Sequence, residues 1–110
     1  MRTSESGKKI QIFVGESDTH EGKPLYQEIM QLAFEKGLAG CTVLKGFEGF
    51  GVHHKIHTAK ILRLSENLPI VVEIIDTDEK IDSFLPQLDS FIQEGMVSVE
   101  KVDIFLYRRN

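Results

Sequence analysis

Apolar residues in this chain recur with period two in some stretches and near 3.6 in others, and the order of those stretches limits the fold more than any motif does. Residues 9–15, "KIQIFVG", are rich in β-branched and aromatic side chains and stop at glycine, which predicts a first strand. "PLYQEIMQLAFEKG" follows. Pro24 suits a first helical turn, Gly37 suits a C-terminal cap, and Leu25, Ile29, Leu32 and Ala33 share one helical face. Residues 39–47 return to strand composition, and residues 68–76 are the clearest strand of all; 61–64 are either a short strand or the end of a loop. A second helix is predicted from Thr77 or Asp78 to Gly95, with Ile81, Leu85, Leu88 and Ile92 on one face. Pro86 should kink or split it. "MVSVEKVDIFLYRRN" reads as a last strand with a break near Glu100, and residues 1–7 are polar and expected to fray.

Strand, helix, strand, strand, helix, strand is the βαββαβ order of an α+β, ferredoxin-like domain: a four-stranded antiparallel sheet with two helices on one face. A length of 110 residues allows one such domain, 1–110. Helices cover only one face, and side chains alternate between faces along a strand. The aliphatic sets Ile10, Ile12, Val14, then Ile70, Val72, Ile74, then Val102, Ile104, Leu106 are assigned to the helix side. That leaves Phe13, Val71, Ile75, Phe105 and Tyr107 on the other face, too apolar a set to stay wet. The expectation is an oligomer that packs sheet against sheet.

A net charge of -4 disfavours a nucleic-acid partner held by a basic surface. Cys41 is the single cysteine, so no intrachain disulfide forms. The N-terminus lacks the apolar core of a signal peptide, and no apolar run approaches the length that spans a bilayer. A cytoplasmic protein without direct membrane insertion is expected.

Between two apolar stretches lies "KGFEGFGVHHKIHTAK", residues 45–60, with three glycines, three histidines and three lysines. Gly46, Gly49 and Gly51 can present backbone N–H groups to an anion, although their spacing is neither GxGxxG nor a Walker A motif. Lys45, Lys55, Lys60 and Arg63 add positive charge to a negative protein, which favours an anionic small ligand. His57 stands where the chain re-enters ordered structure, and imidazole titrates near neutrality. With Gly15 and Glu16 in the turn after the first strand, these form the predicted ligand site: Gly15, Glu16, Lys45, Gly46, Gly49, Gly51, His57, Lys60 and Arg63. The alternative is a metal site of His53, His54 and His57, without a cysteine pair or an HExxH glutamate. Glu16, Asp18 and His20 are either an acid/base group or a polar turn with capping side chains. No catalytic residue is assigned, and the protein is read as a non-enzyme.

"GKPLY", "GLAG-TV-KG-EGFG", "IHTAKIL-LS--LP" and "VEIIDTDEKI" closely resemble the domain of unknown function 190 family over residues 9–107. That family looks like a relative of the PII signalling proteins and the CutA copper-tolerance proteins. The resemblance implies a homotrimer with its sheets turned inward. It also implies a mobile loop over residues 47–66 that reaches a partner such as an enzyme, transporter or channel. By analogy with PII, an adenine nucleotide would sit in a cleft between subunits near the loop base. This loop contains no tyrosine, so control by uridylylation is not implied. Three functions follow: a PII-like trimeric sensor of a small anion, plausibly an adenine nucleotide; a CutA-like metal-binding protein; or an enzyme acting on a small anion.

Overall fold

A computed structural model describes residues 1–52, 55–58 and 67–109. In chain order the elements are β1 (Arg2–Gly15), β2 (Thr19–His20), β3 (Lys23–Pro24), α1 (Leu25–Glu35), β4 (Gly40–Lys45) and β5 (Glu48–Gly49). They continue with β6 (His57–Thr58), β7 (Pro69–Thr77), α2 (Asp78–Phe84), a 3₁₀ helix (Leu85–Ser90) and β8 (Met96–Tyr107). The main sheet has the order β4-β7-β1-β8, and all its neighbours are antiparallel. The fold is α+β and ferredoxin-like, with the long strands at the positions the sequence predicts. The small ribbons β2/β3 and β5/β6 are additions to that plan.

The core lies between the sheet and both helices. Ile10, Ile12, Val14, Ile70, Val72 and Ile74 meet Leu25, Ile29 and Ala33 of α1, Ile81 and Phe84 of α2, and Leu88 of the 3₁₀ helix in one cluster. Seven of these aliphatic side chains and Phe84 are essentially inaccessible. Burial on this scale is the main stabilising term for a domain of this size. α1 ends in a Schellman motif: the Gly37 N–H donates to Phe34 O, the Leu38 N–H donates to Ala33 O, and Gly37 has φ 74°. Thr77 caps α2 by accepting from the Lys80 N–H at 3.4 Å. Pro86 acts as expected: α2 stops at Phe84, and a 3₁₀ helix carries Pro86 in its first turn, where a missing N–H costs little. The buried carboxylate of Asp76 joins the two halves by accepting from the Ala39 N–H at 2.9 Å and the Thr77 N–H at 2.6 Å.

Three expectations are corrected. Residues 2–7, read as polar terminus, lie in a strand: Arg2–Gly7 pairs with Val102–Tyr107, as a continuous ladder needs backbone partners rather than apolar side chains. The Met1 ammonium and Arg108 O at 2.7 Å close its end, and the Arg2 guanidinium lies 5.7 Å from the Phe105 ring centroid. β8 has no break at Glu100, which pairs with Lys9 at 2.9 Å.

The third correction concerns the phase of β8. Ile10 lies opposite Val99 and Ile12 opposite Val97, so Val97 and Val99 point to the helix side. Val102 lies level with Gly7, and with it Ile104 and Leu106 take the open side, while Phe105 and Tyr107 do not. The strand runs past the helices, so its more apolar second half does not mark the core. The open face is built of register rows. Leu44, Val71, Phe13 and Met96 form an apolar row across all four strands. Thr42, Glu73, Gln11 and Ser98 form the polar row beside it, where the Gln11 side-chain amide donates to Glu73 at 2.7 Å.

Candidate functional site

At the end of the sheet where β1 and β8 meet the loop ribbon, the chain encloses a cavity of about 450 Å3. It is walled by the end of β1 with the turn through β2, Leu25 of α1, the β5/β6 ribbon with the residues between its strands, residues 67–70, and residues 90–95 before β8. Such a volume suits a small organic ligand.

The turn after β1 is fixed by local hydrogen bonds. The Gly15 N–H donates to Asp18 Oδ2 at 2.8 Å, the Asp18 N–H to Gly15 O at 3.2 Å, and the Leu25 N–H to Asp18 O at 2.8 Å. Of the two readings offered for Asp18, the structure shows the turn-forming one. His20 stacks on Phe91 with ring centroids 4.4 Å apart, and both rings line the cavity. Residues 67–69 return against this turn. The Glu16 N–H donates to Leu68 O at 2.9 Å and the Ser17 N–H to Asn67 Oδ1 at 2.8 Å.

These packing contacts explain two of the predicted glycines differently from the expectation. A Cβ on Gly15 would stand 2.7 Å from the Asn67 side chain, and one on Gly46 would stand 2.7 Å from Pro69 Cγ. The Gly46 N–H is bonded to Pro69 O at 2.7 Å, as the Gly15 N–H is to Asp18. Both glycines permit close approach of backbone and side chain; neither offers its N–H to a ligand. Glu16 and Lys45 form an ion pair at 2.6 Å, so each neutralises the other.

The loop ribbon supplies the rest. Within residues 47–66, read as one mobile connection, Glu48–Gly49 pairs with His57–Thr58, and the Thr58 hydroxyl donates to Glu48 at 2.9 Å. This ladder presents Gly49, Phe50, Gly51, Val52, Lys55 and His57 to the cavity. The structure therefore brings together Gly15, Gly49, Gly51 and His57, and leaves Glu16, Lys45 and Gly46 as the frame beside them. Lys60, Arg63, His53 and His54 lie outside the described residues. Among the described residues, no group of three His, Cys, Asp or Glu side chains converges as a metal site.

Sequence reasoning named Lys55 as a loop cation without placing it in the site, and missed Phe50, Phe13, Phe91 and Asn67 as lining residues. Lys55 stands two residues from His57 and was visible as a cation. Phe91 and Asn67 had no local signal, because each reaches the cavity through the tertiary fold. Cys41 takes no part: it packs against the core from β4, where burial pushes its thiol pKa up.

Residues 7–104 match the domain of unknown function 190 family, which carries the description "Uncharacterized ACR". A relative in Aquifex aeolicus, "UPF0166 protein", is 38% identical over 97 residues, which are 88% of this chain and 91% of the relative. Among solved structures, CPII of Thiomonas intermedia K12, a nitrogen regulatory PII-like protein bound to ADP, AMP and bicarbonate, superposes with a TM-score of 0.61. The likeness covers 93% of this chain and 91% of CPII at 19% identity. A PII-like signaling protein of Thermus thermophilus gives the same TM-score over 94% of this chain and 91% of that one, at 15% identity. At those identities the likeness establishes the shared fold. Among the described residues no helix is long and apolar enough to cross a membrane.

Proposed function

The chain belongs to the domain of unknown function 190 family, and we propose that it is a PII-like regulatory protein that senses a small anion, an adenine nucleotide by preference, in this cavity. The observation that carries the reading is that cationic and aromatic groups from different segments line one cavity. Lys55 and His57 stand on the loop side, and Phe91 and His20, stacked on each other, stand on the body of the domain. A phosphate suits the first pair as a charge-assisted hydrogen-bond acceptor, and the π-face of a nucleobase suits the second set. The nucleotides bound by CPII, a protein of the same fold, support the ligand class by analogy.

The loop is the route from ligand to partner. Gly49 and His57 line the cavity from paired positions, so a ligand that engages His57 acts directly on the ladder from which the rest of the loop departs. A membrane transporter, a channel or an enzyme is the kind of target such a loop would reach. Binding rather than turnover is the proposed activity. The assembly is a homotrimer, supported by the apolar row Leu44, Val71, Phe13 and Met96 on the uncovered sheet face.

A thermal-shift panel of nucleotides and small anions tests the reading. Adenine nucleotides should raise Tm in a concentration-dependent way, because a ligand that binds only the native state stabilises it. His57→Ala should reduce the shift. No shift from any nucleotide or small anion at millimolar concentration would overturn it.

A further inference from the structure

We infer that Asn67 is a positioning residue: it holds the turn after β1 and, through Pro69, the loop ribbon in one arrangement, so that two walls of the cavity are set together. The inference rests on the reading of that cavity as a ligand site, and concerns how His57 is held in place for the ligand.

Residues 67–69 lie between the two segments that leave the sheet at this end. Pro69 opens β7, with Gly15 of β1 opposite it. On its other side β7 pairs with β4 as far as Ile70 opposite Lys45, and beyond that pair the Gly46 N–H donates to Pro69 O at 2.7 Å. Toward the turn, Leu68 O accepts from the Glu16 N–H at 2.9 Å and Asn67 Oδ1 from the Ser17 N–H at 2.8 Å. Toward the loop, Pro69 Cγ lies 2.7 Å from where Gly46 would carry a Cβ and 3.4 Å from where Gly49 would. Gly49 is the ribbon partner of His57. One three-residue segment thus touches the turn at one end and the base of the ribbon at the other. Little in it can bend. The proline ring fixes φ, and the residue before a proline is confined to extended backbone. A shift at Asn67 is passed to Pro69 rather than absorbed between them.

Asn67 is the side chain in this segment that grips the turn. A Cβ on Gly15 would stand 2.7 Å from its Oδ1, 2.8 Å from its Nδ2 and 3.1 Å from its Cγ, so the carboxamide is packed against the glycine. The bond from Ser17 fixes which end of the amide is the acceptor and leaves the donors on Nδ2. The turn is therefore held from two sides, by Asp18 on the Gly15 N–H and by Asn67 on the Ser17 N–H. Asn67 also lines the cavity, together with Gly15, Gly49 and His57. The clamp is part of the wall it supports, and the residues it links are the ones that face a ligand.

The test is a pair of substitution cycles in the full chain. In the first, amide NMR spectra without ligand compare Gly15→Ala in the wild type and in Asn67→Ala. In the wild type the added methyl meets the Asn67 carboxamide. It should shift the Gly46 and Gly49 amide signals and speed exchange of the Gly46 amide about tenfold, the scale of coupling between residues in contact. In Asn67→Ala the methyl has no carboxamide to meet, and those signals should stay where Asn67→Ala alone puts them. Val72 and Ile74, buried in β7, should be unchanged throughout. In the second cycle, calorimetry with AMP compares His57→Ala in the same two backgrounds. The loss of affinity should be about tenfold in the wild type and under about twofold in Asn67→Ala, because a histidine on a ribbon no longer positioned has little to lose. Equal effects of Gly15→Ala in both backgrounds would overturn the inference. So would signals of Val72 and Ile74 that move as far as that of Gly46, because Asn67 would then only support the fold as a whole. Additive losses in the AMP cycle would overturn it too. Failure of AMP to bind the wild type at millimolar concentration would instead sink the nucleotide reading, and the first cycle alone would then decide the inference.

Discussion

The two faces of the sheet are made of the same strands and carry opposite kinds of information. On the helix side, Ile10, Ile12, Val72 and Ile74 are fully inaccessible within one chain. On the open side, the row beginning with Leu44 is apolar yet uncovered, with Leu44 47% exposed and Met96 54% exposed. The first face is finished by the chain's own helices. On the trimer proposed above, the second is finished by another molecule, and the polar row Thr42, Glu73, Gln11 and Ser98 beside it would set the register of that contact. One face thus specifies the fold, and the other is the face on which the proposed assembly rests.

The largest effect that separates the faces is on the covered one. Phe84→Ala should cost about 3–5 kcal/mol in urea unfolding, because Phe84 is a large, fully buried side chain and little nearby can collapse into the space. Asp76→Asn should cost about 1–3 kcal/mol. Its two carboxylate oxygens each accept one backbone N–H, and an amide can replace only one of them as acceptor. On the open face, Leu44→Asp should leave the unfolding of the protomer nearly unchanged and shift the mass seen by light scattering from trimer toward monomer, because the charge would be buried in the contact. A trimer that persists in Leu44→Asp, or a wild-type protein that is monomeric at micromolar concentration, would break the comparison.

A smaller effect lies at the sheet margin. Lys8 has its pKa raised above the ordinary 10.5 by its hydrogen bond to Asp82, and Lys9 by its hydrogen bond to Glu100. A lysine with a raised folded-state pKa contributes stability that is fully present below 10.5 and is lost as pH rises through the raised value. Both are exposed pairs, so the contribution is small. Tm should fall slightly more steeply above pH 10.5 in the wild type than in the double variant Lys8→Met, Lys9→Met; equal slopes would refute the assignment.

How much of this was legible in the sequence follows the same division. Strict alternation in "PIVVEIID" placed Ile70, Val72 and Ile74 correctly, because β7 is a central strand in which residues 70, 72, 74 and 76 are all buried. Pro86 was legible as a helix break, because a missing N–H acts locally. β8 misled because alternation reports faces but not which face is covered. Only its pairing with β1 put Val97 and Val99 on the helix side. At the candidate site, Gly49, Gly51 and His57 were legible as parts of one polar connection. The pairing of Glu16 with Lys45, and the arrival of Phe91 and Asn67 at the cavity, were not: they join segments far apart in the chain, and no local pattern encodes that closure.

The most direct test of the account is a crystal structure of the protein grown with adenosine monophosphate. The account predicts a trimer closed over the row from Leu44 to Met96, with one nucleotide per protomer, its phosphate within hydrogen-bond distance of Lys55 and His57 and its base against Phe91. A nucleotide bound elsewhere, for instance in the groove between Pro86 and Val97, or a cavity left empty by protein that calorimetry shows to be saturated, would contradict it.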